Sequence, residues 1–183
     1  VRTLAITQNI TLDGAVEMLG SWFDPTAGTG TDLHAEMLRH DETCDAVLLG
    51  RRTFTDFRGF WPEQTADETG VTDYLNRVAK YVVSSTLTDP RWRNSRILSG
   101  DPVAEVRALK EQPGQDIVVT GSITLCHTLI AAGLVDELRL FHYPVVQGAG
   151  RGLFPAGWSH EKLTRTDAKS FTGGVTYTCH RVV

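Results

Sequence analysis

The sequence is short of the features that mark several large classes of protein. No run approaches the roughly 18 consecutive apolar residues that a spanning helix requires, so no membrane role is expected. Basic residues are not in excess: 18 Lys and Arg stand against 22 Asp and Glu, a formal net charge of -4. That balance argues against a nucleic-acid partner, which usually leaves a basic face. There are three cysteines, Cys44, Cys126 and Cys179, widely spaced and with no CxxC. A disulfide-stapled secreted domain is denser in cysteine and usually carries an even number. The N-terminus lacks the basic start, apolar stretch and small-residue cleavage site of a secretory signal. A reduced, cytoplasmic protein is therefore expected. The six histidines form no HExxH and no paired zinc spacing, so no metal site is expected. His34 and His40, six residues apart, do not share a helix face. The chain also lacks GxxxxGK[ST], and no GxGxxG follows the first strand-like segment, which excludes the P-loop and the ordinary dinucleotide fingerprint.

What is present is a chain of 183 residues, 41% of them apolar. That suffices for one sizeable core and falls short of two, so residues 1–183 are read as one domain. Arg2 to Thr11 has strand composition and ends at the turn signal Leu12-Asp13-Gly14. A long loop follows, holding Trp22, Phe23, Pro25 and Gly14, Gly20, Gly28 and Gly30. Thr31-Asp32 opens a helix with Leu33, Met37 and Leu38 on one face. Asp45–Gly50, Lys80–Ser84 and Asp116–Thr120 are short apolar runs that suit buried strands. Helical spacing recurs over Arg51–Phe57, Asp73–Ala79, Pro102–Lys110 and Ile123–Ala132, with Asp101 as a cap, Pro102 at the first helical position and Gly133 as a stop. Arg58–Gly70 reads as loop and Ser95–Leu98 as a weaker strand. Asp136–Tyr143 is a further strand. Glu161–Lys169 and Val175–Val182 form an antiparallel pair around Gly173-Gly174. Strands alternating with helices predict an α/β fold, a mostly parallel sheet covered on both faces, with antiparallel strands at its C-terminal side.

Three of the strands end on small or cationic residues: Gly50-Arg51-Arg52-Thr53, Ser84-Ser85-Thr86 and Gly121-Ser122-Ile123-Thr124. Ligands of open α/β sheets bind beyond the carboxyl ends of the strands, where helix N-termini expose unpaired N–H groups. Glycine allows close backbone approach, hydroxyls donate hydrogen bonds, and Arg adds a fixed cationic fork. Each group alone also reads as an ordinary turn. Their recurrence at three strand ends points to phosphate.

The segments VLLGRRTF, KYVVSSTL and IVVTGSITLCHTLIAAGLVDELRLFHYPVVQGAGRGLF resemble the dihydrofolate-reductase-like fold. They are most similar to the reductase domain of bacterial riboflavin biosynthesis, the RibD C-terminal type, and its stand-alone relatives. The run from Gly133 to Leu138 followed by Pro144-Val145-Val146, Gly148, Gly150 and Leu153-Phe154 carries most of this likeness, with Leu12-Asp13-Gly14 and Phe60-Trp61-Pro62. The resemblance implies a three-layer α/β/α fold and an NADPH-dependent reductase acting on a small heterocyclic or imine-like substrate. It places Gly50, Arg51 and Thr53 at the cofactor phosphates, Ser84, Ser85 and Thr86 near the adenosine 2′-phosphate, and Gly121, Ser122, Ile123 and Thr124 around the pyrophosphate. It also implies a homodimer through the C-terminal strands, where an edge such as Val175–Val182 needs covering.

Asp13 is the candidate proton donor and substrate contact, with a simple turn residue as the other reading. Trp22, Phe60 and Trp61 are candidate walls of a substrate pocket, and Glu36 a candidate substrate contact or a solvated helix residue. His127 and His142 read as packing residues. Folate reductases place a carboxylate near the position of His34, and neither Asp32 nor Glu36 aligns with it, which weakens a folate assignment. The HxE and PCxxC signatures of a zinc deaminase are absent, so a stand-alone relative rather than the bifunctional riboflavin enzyme is expected. Dihydrofolate reduction and a non-catalytic nucleotide-binding role are the competing readings.

Overall fold

The computed structural model describes residues 1–27 and 30–183. Gly28 of the long loop lies outside them. Eight strands form one sheet in the order β4-β3-β2-β5-β1-β6-β8-β7. They are β1 (Leu4–Thr11), β2 (Cys44–Gly50), β3 (Ala79–Val83), β4 (Ser95–Leu98), β5 (Asp116–Thr120), β6 (Glu137–Tyr143), β7 (Leu163–Ser170) and β8 (Thr176–Val182). The helices are α1 (Asp32–Glu42), α2 (Arg51–Phe60), α3 (Val71–Arg77), α4 (Pro102–Lys110) and α5 (Ile123–Ala131). The first six strands run parallel, and β8 joins antiparallel to β6 and β7. This is the mixed, mostly parallel dihydrofolate-reductase-like sheet with its antiparallel C-terminal pair.

The period-two pleat divides the buried side chains between two faces. Leu4, Ile6, Ala46, Leu48, Ile117 and Val119 pack against Val106 and Leu109 of α4 and Leu125, Cys126 and Leu129 of α5. Val47, Leu49 and Val82 face the other way, onto Phe54 of α2 and Tyr74 and Leu75 of α3. Further along that face, Phe141, Tyr177 and Cys179 meet Leu33 and Met37 of α1. The sheet is thus covered on both sides, as continuous apolar runs in parallel strands require.

Two expectations change. The helix at Arg51 does not stop at Phe57 but runs to Phe60 and continues into a 3-10 turn, Trp61–Glu63. Gly59 weakens a helix only modestly, and the buried Trp61 anchors the far end against Phe54, Tyr74 and Val82. The edge on the C-terminal side is β7 rather than Val175–Val182, because β8 lies between β6 and β7 and is paired on both sides.

One polar cluster fixes α1 on the sheet. Glu36 is buried, and its carboxylate accepts from Lys169 Nζ of β7 at 2.7 and 2.8 Å and from Arg39. His40 Nε2 lies 3.0 Å from the same carboxylate. Burial alone would raise the Glu36 carboxyl; the hydrogen bonds from Arg39 and Lys169 outweigh it and hold it at about 2, below the ordinary 4.5. The stability this contributes is present above the ordinary value and lost as pH falls through about 2. Glu36→Gln is expected to destabilise the protein by about 2 kcal/mol near neutral pH. In acid unfolding monitored by circular dichroism, the gap between the two proteins should close as pH drops from 4.5 towards about 2.

Candidate functional site

The carboxyl ends of β2 and β5 lie side by side and are fastened together. Ser122 Oγ accepts from the Gly50 N–H at 2.9 Å, and the Ser122 N–H donates to Thr53 Oγ1 at 3.0 Å. Gly121 and Ser122 both take left-handed backbone, at φ +58° and +47°. A Cβ on Gly121 would sit 2.9 Å from Thr53 Cγ2, so only glycine fits between the two strand ends. Gln8 Nε2 of β1 donates to the Gly121 carbonyl at 2.6 Å and ties in a third strand. Neither α2, capped by Gly50, nor α5, capped by Ser122, has a side-chain cap hydrogen bond. Their first N–H groups are therefore directed outward beyond the sheet edge.

These helix starts open into one large cleft of about 970 Å³. Gly50, Arg51, Thr53, Gly121, Ser122, Ile123 and Thr124 all line it. The cleft runs over β1, where Thr7 and Asn9 lie half-buried on its floor, and continues between α1 and the segment leading into α3. Its far walls are Leu33, Met37 and Leu38 of α1, Phe57 and Phe60 of α2, Trp61, Val71, Tyr74 and Leu75, with Phe23, Phe141 and Tyr143 opposite. Among the described residues, the cationic side chains lining it are Arg51, Arg52 and Arg151. Arg151 is paired with Glu17 at 2.8 Å.

The third cluster lies elsewhere. Val83 pairs with Gly50, so Ser84 follows at the same sheet edge, one strand further out. Ser84 is buried and its Oγ accepts from the N–H groups of Thr86 and Leu87, closing its own turn. Ser85 and Thr86 are exposed. None of the three lines the cleft.

Of the candidate substrate contacts, Phe60 and Trp61 reach the cleft; Trp22, Glu36 and Asp13 do not. Trp22 stands one layer behind, packed 5.2 Å from the Tyr143 ring and donating from Nε1 to Gln147 Oε1 at 2.9 Å. Glu36 is neither solvated nor aimed at substrate, because Lys169 and Arg39 occupy its oxygens. Asp13 accepts from Thr11 Oγ1 at 2.6 Å, from the Gly148 N–H at 2.7 Å and from the Gln147 N–H at 3.1 Å. The Thr11 hydroxyl and these two amides hold its carboxyl at about 2. Such a group carries no proton near neutrality, which argues against the donor role expected of it and for a clasp between two loops. His127 and His142 bond to the Gly152 carbonyl and to Thr178 Oγ1, each at 3.0 Å.

A different carboxylate faces the cleft. Asp41, in the last turn of α1, is among the residues lining it, as are Leu38, Tyr74 and Leu75. Burial pushes its carboxyl up to about 7, against weak opposing fields from Arg77 and His34. His34 also lines the cleft: its Nδ1 accepts from the Gly30 N–H at 3.2 Å, and Nε2 lies 2.7 Å from the Thr69 carbonyl across the gap. His34, Leu38 and Asp41 follow at i, i+4 and i+7, one stripe of the helix. That spacing was readable in the sequence, but the acidic end of the stripe looks like an ordinary solvated residue without the opposing wall. Asp32, the other carboxylate near His34, turns away to the Thr172 N–H at 2.8 Å.

The fold defines a class, a dihydrofolate-reductase-like protein, here with a large cleft at the carboxyl edge of the sheet. The family model of the RibD C-terminal domain matches residues 2–177, and the chain belongs to that family. It is 32% identical to the uncharacterized protein YyaP of Bacillus subtilis strain 168 over 182 residues, covering 95% of this chain and 92% of that one. A pyrimidine reductase-like protein from Corynebacterium diphtheriae superposes with a TM-score of 0.67 at 14% identity, over 100% of this chain and 92% of the other. A diaminohydroxyphosphoribosylaminopyrimidine deaminase/5-amino-6-(5-phosphoribosylamino)uracil reductase from Thermotoga maritima gives 0.69 at 15% identity, over 100% of this chain and 57% of the other. Among the described residues, no helix is long and apolar enough to cross a membrane, and no group of three or more His, Cys, Asp or Glu is placed to hold a metal ion.

Because the Asp41 carboxyl rises from 3.8 to about 7 on folding, the folded state binds the extra proton. Stability from this residue is present below its unfolded value and lost as pH rises through about 7. Asp41→Asn is expected to be more stable than the unmodified protein at alkaline pH, by about 2 kcal/mol. Thermal melts should show that advantage disappearing towards pH 3.8.

Proposed function

We propose that this protein is an NADPH-dependent reductase that delivers hydride to a small heterocyclic or imine-like substrate. The observation carrying the reading is the joining of two helix starts over one cleft by Ser122, Gly50 and Thr53. The gap kept open by Gly121, where a Cβ would strike Thr53, suits the close approach of a pyrophosphate to backbone N–H groups. Family membership supports the same assignment.

In this reading the N–H groups at the starts of α2 and α5 hold the phosphates, and the Ser122 and Thr124 hydroxyls are nearby donors. Arg51 adds charge at the rim, where its guanidinium is exposed. Ser85 and Thr86, exposed at the same sheet edge, are available to the 2′-phosphate. The dinucleotide supplies the hydride, so the protein has chiefly to orient it and exclude water. The apolar walls Leu33, Met37, Phe57 and Trp61 perform that exclusion, and Thr7 and Asn9 offer hydrogen bonds from the floor. Asp13 acts at one remove. It clasps the loop bearing Gln147, which in turn holds Trp22 against Tyr143 on the cleft wall.

The homodimer belongs to the same proposal, with the open edge of β7 as the surface a second copy would cover. Light scattering on the eluted protein should give twice the chain mass of 20.1 kDa.

Titration with NADPH and NADH, followed by tryptophan fluorescence, tests the central claim. NADPH is expected to bind, and more tightly than NADH. Arg51→Ala should weaken NADPH by about tenfold, the worth of one charge-assisted phosphate contact. Absence of binding by either nucleotide at millimolar concentration would remove the reductase assignment. Binding without hydride loss to any imine, pterin or carbonyl compound tried would favour a non-catalytic nucleotide-binding protein.

A further inference from the structure

The amino ends of the parallel strands lie on the side of the sheet away from the cleft. There the turn between α3 and β3, the turn before β4 and the start of β2 surround a second, open pocket of about 510 Å³. Arg77, Lys80, Asn94, Ser95, Arg96 and Asp45 are among the residues lining it. The backbone around it is pinned from several directions. Asn94 takes left-handed backbone at φ +58°, and its Nδ2 donates to the carbonyls of Asn76 and Arg77, each at 3.1 Å. The Asn94 carbonyl accepts from the Lys80 N–H at 2.7 Å, in the register that sets Lys80 beside Ser95 and Tyr81 beside Arg96. Lys80 Nζ donates to the carbonyls of Leu75 and Val78 at 2.5 and 3.0 Å and lies 4.7 Å from the centre of the Trp92 ring. The last carbonyls of α3 are thus capped without any help from the Arg77 guanidinium.

The positive charge here is uncompensated, although the chain as a whole carries -4. Arg77 and Arg96 are exposed, and among the described residues neither forms an ion pair. Asp45 is the one carboxylate lining the pocket, and its oxygens are engaged by Arg2 and by the Gln115 N–H at 3.0 Å. Burial, with Arg93 nearby, pulls the Lys80 ammonium down to about 8. The Ser95 hydroxyl is buried and, among the described residues, has no hydrogen-bond partner. A buried hydroxyl left unpaired costs about 1–3 kcal/mol, and a bound acceptor removes that cost. Two unpaired guanidinium forks beside an unpaired hydroxyl favour a tetrahedral oxyanion, whose several oxygens accept from all three. The volume lies within the range of small-molecule pockets and leaves room for an organic group on that anion. We propose that the pocket at the amino ends of β3 and β4 is a binding site for phosphate, free or as a small monoester, held by Arg77, Arg96 and Ser95. It is separate from the cleft and does not rest on the reductase reading.

Amide NMR of the full chain, titrated with inorganic phosphate near neutral pH, reads the site residue by residue. Saturable shifts are expected at Asn94, Ser95 and Arg96 at millimolar phosphate, beyond those in sodium chloride of equal ionic strength. Arg96→Ala should weaken phosphate by about tenfold, the worth of one charge-assisted contact. Ser95→Ala should weaken it by about fivefold with no loss of Tm, because the hydroxyl removed has no partner in the folded chain. A serine with a purely structural role would show the reverse. Phenyl phosphate separates the two sources: tighter binding than inorganic phosphate assigns the site to a monoester, and equal or weaker binding assigns it to the free anion. Shifts no larger than those in chloride, shifts confined to residues 50–53 and 121–124, or an affinity unaltered in Arg96→Ala or Ser95→Ala would each overturn the proposal. The amides of the cleft are read in the same spectra. Failure at β3 and β4 therefore leaves the nucleotide claim standing, and a cleft that binds no NADPH leaves this site standing.

Discussion

The fastening of β5 to β2 through one serine is the constraint on which the rest of the cleft depends. Ser122 uses its hydroxyl to accept from Gly50 and its N–H to donate to Thr53. Both bonds cross between segments about seventy residues apart in sequence, and both sit where helices begin. The left-handed backbone at Gly121 and Ser122 follows from this geometry. A non-glycine residue at positive φ is costly unless its surroundings over-determine it, and two cross-strand hydrogen bonds supply that determination for Ser122. Two helix N-termini are thereby aimed into the same space, a denser array of N–H donors than either helix offers alone.

Three carboxylates show how environment, rather than residue type, sets the role. Asp13 and Glu36 are both held at about 2, the first by a hydroxyl and two amides in the open, the second by Lys169 and Arg39 against the opposing effect of burial. Both are spent on geometry: Asp13 joins the loops after β1 and β6, and Glu36 ties α1 to β7. Among the described residues Asp41 has no such partner, and burial moves it the other way, to about 7. A group poised there can change charge near neutrality, which neither of the other two can do.

Much of the fold was legible because its signals are local. Continuous apolar runs marked β2, β3 and β5, and Asp101 with Pro102 marked the start of α4, where Asp101 indeed accepts from the Ala104 N–H. The order of strands was less legible. That β8 lies inside β7 depends on pairing between distant segments, and alternation in one strand says nothing about its neighbours. In the site, Gly50, Arg51, Thr53 and the Gly121–Thr124 run were readable because strand ends and helix starts share one sheet edge. Glu36 was misjudged for want of a partner: Lys169 lies 133 residues away. Asp41 was missed for the complementary reason. A carboxylate in the last turn of a helix looks solvated, and its burial shows only once the chain is folded.

The two ends of the cleft are built from different kinds of structure, and this bears on how one fold serves more than one substrate. The end assigned to the cofactor is made of strand termini and backbone N–H groups, so its geometry is fixed by sheet register and by the glycine at 121. The other walls are made of side chains from α1 and from the segment between Trp61 and Leu75, elements held on the sheet by apolar packing and by the Glu36–Lys169 pair rather than by strand pairing. A chain can therefore keep the strand-end half of this architecture while exchanging the side chains that line the rest of the cleft. Membership of the family speaks to the first half, and the side chains of α1 and α3 speak to the second.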